Sequence, residues 1–187
     1  MRAGLILSIL SATLSASPPA AAEVIAKDAN GFTTRNTQVI AATPAQVWLA
    51  LISPGKWWSD DHTWSGDAAN MTLIPQGGGC FCETIPGTED ADTVQPSGSA
   101  KHMEVMQANP HKVLRMRGGL GPLQSEPAEG VLTITMQPDE GGTKVVFEYV
   151  VGGPMRFEIP VIALAVDGVL SQQLAGLKAY LESGGAT

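Results

Sequence analysis

The stretch PVIALAVDGVLSQQLAGLKAYLE, Pro160 to Glu182, decides how this chain is read. Val166, Leu170, Leu174, Leu177 and Leu181 recur at spacings of four, four, three and four. At about 100° per residue they share one arc, joined by Val169 and Tyr180. Pro160 suits a first helical turn, where its missing N–H is not needed, and Gly184-Gly185 suits a stop. One position is out of character: Gln173 falls between Leu170 and Leu177 on the wheel. Burying an amide without a partner costs about 1–3 kcal/mol. Gln173 therefore either has a protein partner inside or faces a wet or ligand-filled cavity.

Working back from the helix, nearly everything reads as strand. Thr143–Val151 alternates Val145, Phe147, Tyr149 and Val151 against Val146, Glu148 and Val150, and Gly130–Gln137 sets Leu132, Ile134 and Met136 against Thr133 and Thr135. Such alternation marks antiparallel strands with one better-buried face. Further strands are expected at Asn70–Pro75, Gly79–Ile85, Ala100–Ala108 and Lys112–Gly118. Asn109-Pro110-His111 and Pro138–Gly142 supply hairpin turns, and residues 86–99 and 119–129 read as long loops. Phe32–Ala41 is a first strand. Thr43-Pro44-Ala45-Gln46 then starts a helix over Ala45–Ile52, with Thr43 as N-cap, and Ser53-Pro54-Gly55 breaks it. Lys56-Trp57-Trp58 begins a second short helical element, and residues 23–31 are a lead-in.

This order implies an α+β fold: one curled antiparallel sheet closed by one long helix, with two short helices after the first strand. A curled sheet and a single helix rarely fill the space between them, so an internal cavity is expected.

The chain has 187 residues, with 11 Lys and Arg against 18 Asp and Glu for a net charge of −7. The absence of a basic block argues against nucleic acid and anionic membranes as partners. Arg2, the apolar run LILSILSATLSA and Ala20-Ala21-Ala22 describe a secretory signal peptide over residues 1–22, leaving a single domain over 23–187. The expected location is periplasmic or secreted, with no stable membrane anchor after cleavage.

Several features resemble the START-like, or SRPBCC, helix-grip superfamily in its polyketide cyclase/dehydrase-like and Hsp90-activator-like branch. They are Thr-Pro-Ala-Gln-Val-Trp after the first strand, Pro54 with Trp57-Trp58, Gly-Gly-Thr-Lys-Val-Val-Phe-Glu-Tyr and the final amphipathic helix. The segments GGGCFCE (Gly77–Glu83), KHMEV (Lys101–Val105) and RGGLGPLQ (Arg117–Gln124) resemble an exported bacterial branch of it. The resemblance spans about residues 32–183 and implies a helix-grip fold. It does not single out one activity, because the superfamily includes carriers, cyclases and co-chaperones.

The expected function is binding of a small, largely apolar molecule in the cavity, lined by Trp57, Trp58, Phe81, Met103, Met116, Phe147, Tyr149 and Gln173. Phe81 competes with Cys80 and Cys82 for the inner face, since a slip of one residue exchanges the two sets. The alternative is a cyclase or dehydratase-type enzyme using the same pocket, with His62, Tyr149 or Asp167 as acid–base group. A third reading, a module acting on folding proteins, requires a large exposed apolar patch.

Cys80 and Cys82 are either small buried thiols, a disulfide or part of a metal or redox site. A metal would need two more ligands, for which Glu83 and His102 are the nearest additions if their strands pair. No cofactor and no metal are expected. His102 reads as facing away from Met103 and Val105. Arg115 and Arg117 share a face, either solvated or anchoring a carboxylate. The sequence has no Gly-x-Ser-x-Gly elbow, phosphate-binding loop, HExxH helix or dinucleotide fingerprint.

Overall fold

A computed structural model describes residues 21–89 and 94–185. The predicted signal segment falls outside these residues except for its last two positions. The chain folds as an α+β helix-grip domain. Its main sheet has eight antiparallel strands in the order β1-β2-β10-β9-β8-β7-β4-β3. The strands are β1 (Ala21–Lys27), β2 (Gly31–Ile40), β3 (Met71–Leu73), β4 (Cys80–Ile85), β7 (Gly98–Asn109), β8 (Val113–Arg117), β9 (Glu129–Asp139) and β10 (Gly142–Gly152). A two-residue pair, β5 (Thr88–Glu89) with β6 (Val94–Gln95), stands apart.

Most predicted strands lie within a residue or two of those observed. Residues 23–31 are the main departure, because β1 occupies most of the expected lead-in and pairs with β2. The expected second short helix is instead a series of 3-10 turns at Pro54–Lys56, Asp60–His62 and Ala68–Asn70. The loop 119–129 also holds a 3-10 turn, Gly121–Ser125.

Helix α1 (Pro44–Leu51) starts as the sequence suggests. The Thr43 side chain accepts from Gln46 N at 3.3 Å, and the Gln46 side chain accepts from Thr43 N at 3.0 Å. This reciprocal box satisfies two N–H groups that the first turn cannot pair internally.

Helix α2 (Ile159–Glu182) buries Val166, Leu170, Leu174, Leu177 and Leu181, the predicted arc, together with Ile162, Ala163, Asp167 and Gln173. By length and apolarity it would pass for a membrane span. In this fold its arc packs onto the sheet, and its nearest backbone neighbours are β2, β1 and α1. It shares one continuous core with the inward side chains of β9 and β10: Leu132, Ile134, Met136, Val145, Phe147, Tyr149 and Val151. Burial of such surface stabilises by about 25 cal/mol per Å².

Tyr149 requires a neighbour without a side chain. A Cβ at Gly130 on β9 would sit 2.2 Å from the Tyr149 hydroxyl. The ring lies over that space, and its hydroxyl donates to Gly118 O at 2.8 Å and accepts from Leu120 N at 3.2 Å. Burial pushes the phenol well above its ordinary pKa; the bond from Leu120 opposes this.

On β4 the inward residues are Phe81 and Glu83. Cys80 and Cys82 take the outer, half-buried face and form a disulfide with Cα atoms 5.3 Å apart. The facing strand β7 contains an irregularity. Phe81 pairs with Met103 and Cys82 with Lys101, so His102 is an inserted residue. An insertion of this kind turns a side chain out of strict alternation. His102 is thereby buried next to Met103, not on the opposite face as expected.

Candidate functional site

Helix α2 lies closest to β1 and β2, and a cleft of about 300 Å³ opens beside its first half. It is lined by Ile162, Ala165, Val166, Val169 and Leu170 of α2, by Leu120, Gly121 and Pro122, by Trp58, Asp61, His62, Thr63 and Trp64, and by His102.

The loop carrying Trp58 is fixed to the helix by polar contacts. Ser59 N donates to Gln173 Oε1 at 2.9 Å, and Gln172 Nε2 donates to Ser59 Oγ at 3.4 Å. His62 Nε2 donates to Gln172 Oε1 at 3.1 Å. Gly176 permits the approach, because a Cβ there would lie 2.8 Å from Trp57 O. Gln173, fully buried, thus has a protein partner through its oxygen, while Nε2 has no partner among the described residues. Trp57 donates to Ala50 O at 2.8 Å, and Trp58 donates to His62 O at 3.0 Å. The Trp58 ring meets Phe81 edge-on at 5.4 Å, and Phe81 contacts the His102 ring at 5.3 Å.

The polar wall is built on Glu83 and His102. Glu83 accepts from Trp64 N at 3.0 Å, from Ser65 N at 2.5 Å and from His102 Nε2 at 2.9 Å. Its side chain has 0% exposure. Burial alone would raise the Glu83 carboxyl, but the hydrogen bonds from Trp64, Ser65 and His102 outweigh it and hold the group below its ordinary pKa. It is an ionised buried carboxylate at neutral pH.

His102 Nδ1 lies 3.1 Å from Gln124 Nε2, and Gln124 Oε1 accepts from Trp64 Nε1 at 3.1 Å. The indole can only donate, so the Gln124 oxygen must face it and the amide NH2 must face His102. Nδ1 is then an acceptor, and the imidazole proton sits on Nε2, aimed at Glu83. The result is a neutral imidazole ordered by a buried carboxylate beside an otherwise largely apolar cleft.

Of the eight residues expected to line a pocket, Trp58 lines this cleft. Trp57, Phe81, Met103, Met116, Phe147 and Tyr149 lie in the continuous core, and Gln173 is buried at the α2–loop contact. Of the expected acid–base candidates, His62 lies at the cleft. The Tyr149 hydroxyl is engaged by Gly118 and Leu120. Asp167 lies beneath α2 against Asn36 Nδ2 at 3.1 Å. Arg115 binds Thr133 Oγ1 and Gln107 Oε1, and Arg117 pairs with Glu129, all on the outer face. Among the described residues no group of three or more His, Cys, Asp or Glu is placed to hold a metal ion.

From the sequence, Glu83 and His102 pair only as spare metal ligands, and no spacing points to Gln124, whose part in the network depends on a loop conformation. The signal that was present is a His and a Glu on strands expected to pair.

The family model described as polyketide cyclase/dehydrase and lipid transport matches residues 32–182. Among solved structures, a protein from Rhizobium leguminosarum superposes with a TM-score of 0.59 at 19% identity, covering 89% of this chain and 99% of that one. A protein from Rhodobacter sphaeroides gives 0.55 at 20% identity, covering 87% and 99%. CalU16 from Micromonospora echinospora gives 0.54 at 12% identity, covering 87% and 83%. At these identities the likeness is one of fold. No curated protein matches the chain.

Proposed function

The chain belongs to the polyketide cyclase/dehydrase and lipid transport family, and from that premise we propose that it binds a small, largely apolar molecule in the cleft between the first half of α2 and the loops carrying Trp58 and Leu120. The observation that carries this reading is the cleft itself: about 300 Å³, walled by Trp58, Leu120, Ile162, Val166, Val169 and Leu170. A volume near the lower end of small-molecule sites favours a compact ligand over a long double-tailed lipid. Apolar contact supplies the free energy, and the few polar groups set orientation.

The proposal includes export. A basic start, an apolar run and small residues near Ala22 support it, as does the Cys80–Cys82 disulfide, since such bonds persist in oxidising compartments.

The test is native mass spectrometry of protein purified from its own host, followed by titration with neutral apolar probes. A co-purifying compound, or probe binding blocked by Val166→Trp, is the expected result. Protein that carries nothing and binds no apolar probe refutes the reading.

A second reading, an acid–base enzyme at the same cleft, is favoured by one observation: the hydrogen bond of 2.9 Å from His102 to buried Glu83. A carboxylate in this position orients an imidazole and stabilises its protonated form. Loss of turnover in His102→Gln with retained ligand binding would select it over a carrier.

A further inference from the structure

Gln124 does not itself line the cleft; it stands behind the polar wall. Its side-chain amide bridges two groups that line the cleft, accepting from Trp64 Nε1 at 3.1 Å and donating to His102 Nδ1 at 3.1 Å. The side chain belongs to a short 3-10 turn, Gly121–Ser125, and is half-buried. Trp64 itself is 53% exposed. The chain therefore satisfies one fixed donor and one fixed acceptor with a planar group held by a short irregular segment. By contrast, the Glu83 end of the network is held by two backbone N–H groups and is fully buried.

A planar amide offers a carbonyl oxygen and an N–H side by side. A carboxylic acid offers a carbonyl oxygen and an O–H in the same arrangement. We propose that this corner is the head-group subsite for a carboxylic acid with a compact apolar body, which takes the place of the Gln124 amide. The assignment rests on the proposed ligand cleft and names the chemistry of its ligand.

The acid carbonyl accepts from Trp64 Nε1–H, and the acid hydroxyl donates to His102 Nδ1. If the proton crosses, the acid O–H bond breaks and an N–H bond forms on Nδ1. The electron pair stays on the carboxylate, and the imidazolium is held between that carboxylate and Glu83. At neutral pH the free acid is its carboxylate, so binding takes up one proton from solvent, which rests on the acid oxygen or on Nδ1. A phosphate is disfavoured, because no Lys or Arg lines the cleft and Asp61 does.

Octanoic acid, octanamide and methyl octanoate are suitable probes, titrated calorimetrically into the full folded protein. The acid is expected to bind at least about tenfold tighter than the ester, which leaves His102 Nδ1 without a donor. The acid is also expected to bind tighter than the amide, which cannot pass a proton to the imidazole. Gln124→Ala removes the internal competitor and should tighten acid binding severalfold while leaving the ester unchanged. His102→Phe should abolish the preference for acid over ester. If that variant does not fold, the ring 15N signal of His102 Nδ1 in the unaltered protein should shift on addition of acid and not of ester.

Equal binding of acid and ester overturns the head-group assignment and leaves the cleft standing, as does an acid-to-ester ratio insensitive to Gln124→Ala. An amide bound tighter than the acid overturns the choice of acid. Failure of all three probes overturns the cleft reading and the assignment with it.

Discussion

Replacing Glu83 with glutamine tests how firmly the polar wall is built. The change keeps shape and removes charge. In the native protein three N–H groups, from Trp64, Ser65 and His102, point at the two carboxylate oxygens. Glutamine turns one oxygen into an NH2 group that faces a donor. Placing it at the Ser65 side leaves one N–H unmatched; placing it at the other side leaves two. The cheaper choice still forfeits a charge-assisted bond and strands a buried donor, so the expected loss is about 2–4 kcal/mol. For a domain of this size that lowers Tm by roughly 4–16 °C.

The pH dependence follows from the depressed Glu83 pKa. Between the folded value and the ordinary value of about 4.3, the unfolded chain binds more protons than the folded one. Stability therefore rises with pH through that window, is fully present above it and is lost as pH falls through the folded value. Glu83→Gln lacks this contribution. Urea unfolding followed by tryptophan fluorescence should show a constant gap between the two proteins near neutral pH that narrows below about pH 4.3. A loss under about 0.5 kcal/mol, or a gap that does not narrow in acid, would refute the account of Glu83 as a buried, hydrogen-bonded anion.

Asp167 should behave oppositely. Burial raises its pKa, the bond from Asn36 opposes this, and Glu23 adds a like charge. The folded state then binds more protons just above the ordinary aspartate value, so this group's ionisation lowers stability as pH rises through that window. Asp167→Asn is expected to melt higher than the unaltered protein at neutral pH but not below about pH 4, and a lower melting point at neutral pH would contradict it. Gly130→Ala drives a methyl into the Tyr149 ring and should cost about 2–3 kcal/mol, read by chemical denaturation; a neutral result would mean that the ring is not held against β9. Gln173→Leu gives up the bond from Ser59 N and also removes the unpaired Nε2, so stability should stay within about 1 kcal/mol while amide exchange at Ser59 quickens. Unchanged exchange at Ser59 would show that Gln173 does not hold the loop.

The fold was legible where physical periodicity is long. The arc Val166–Leu181 and the alternations in β9 and β10 each repeat often enough to fix face and element. The Thr43–Gln46 box was legible because four adjacent residues carry it. β1 was not, since AAEVIAK lacks clean alternation, although it pairs with β2 as a local hairpin across Asp28-Ala29-Asn30. The candidate site was harder for a related reason. Alternation places His102 opposite Met103, and the inserted residue in β7 reverses that. Nothing within KHMEV marks the insertion; it arises from how β7 meets β4. Gln173 was identified as anomalous from one helix alone. Its partner, Ser59 N, lies 114 residues away in an irregular loop, beyond what spacing can reach.

The sheet order also constrains how such a chain can be made. β2 lies between β1 and β10, and the Thr143 side chain reaches Ala42 O across 101 residues of sequence. A chain emerging N-terminus first must therefore hold β2 without its main partner until β10 has been synthesised. The hairpin β1–β2 then has an open edge, with Phe32 and Ile40 uncovered and α2 still absent. Non-local closure of this kind is slow and leaves strand edges available to other chains. Truncations ending before Gly142 should accumulate as aggregates or be degraded, whereas removal of the residues after Glu182 should leave folding yield unchanged. On the proposed export route, late closure would delay commitment to the folded state until the strand beginning at Gly142 has followed.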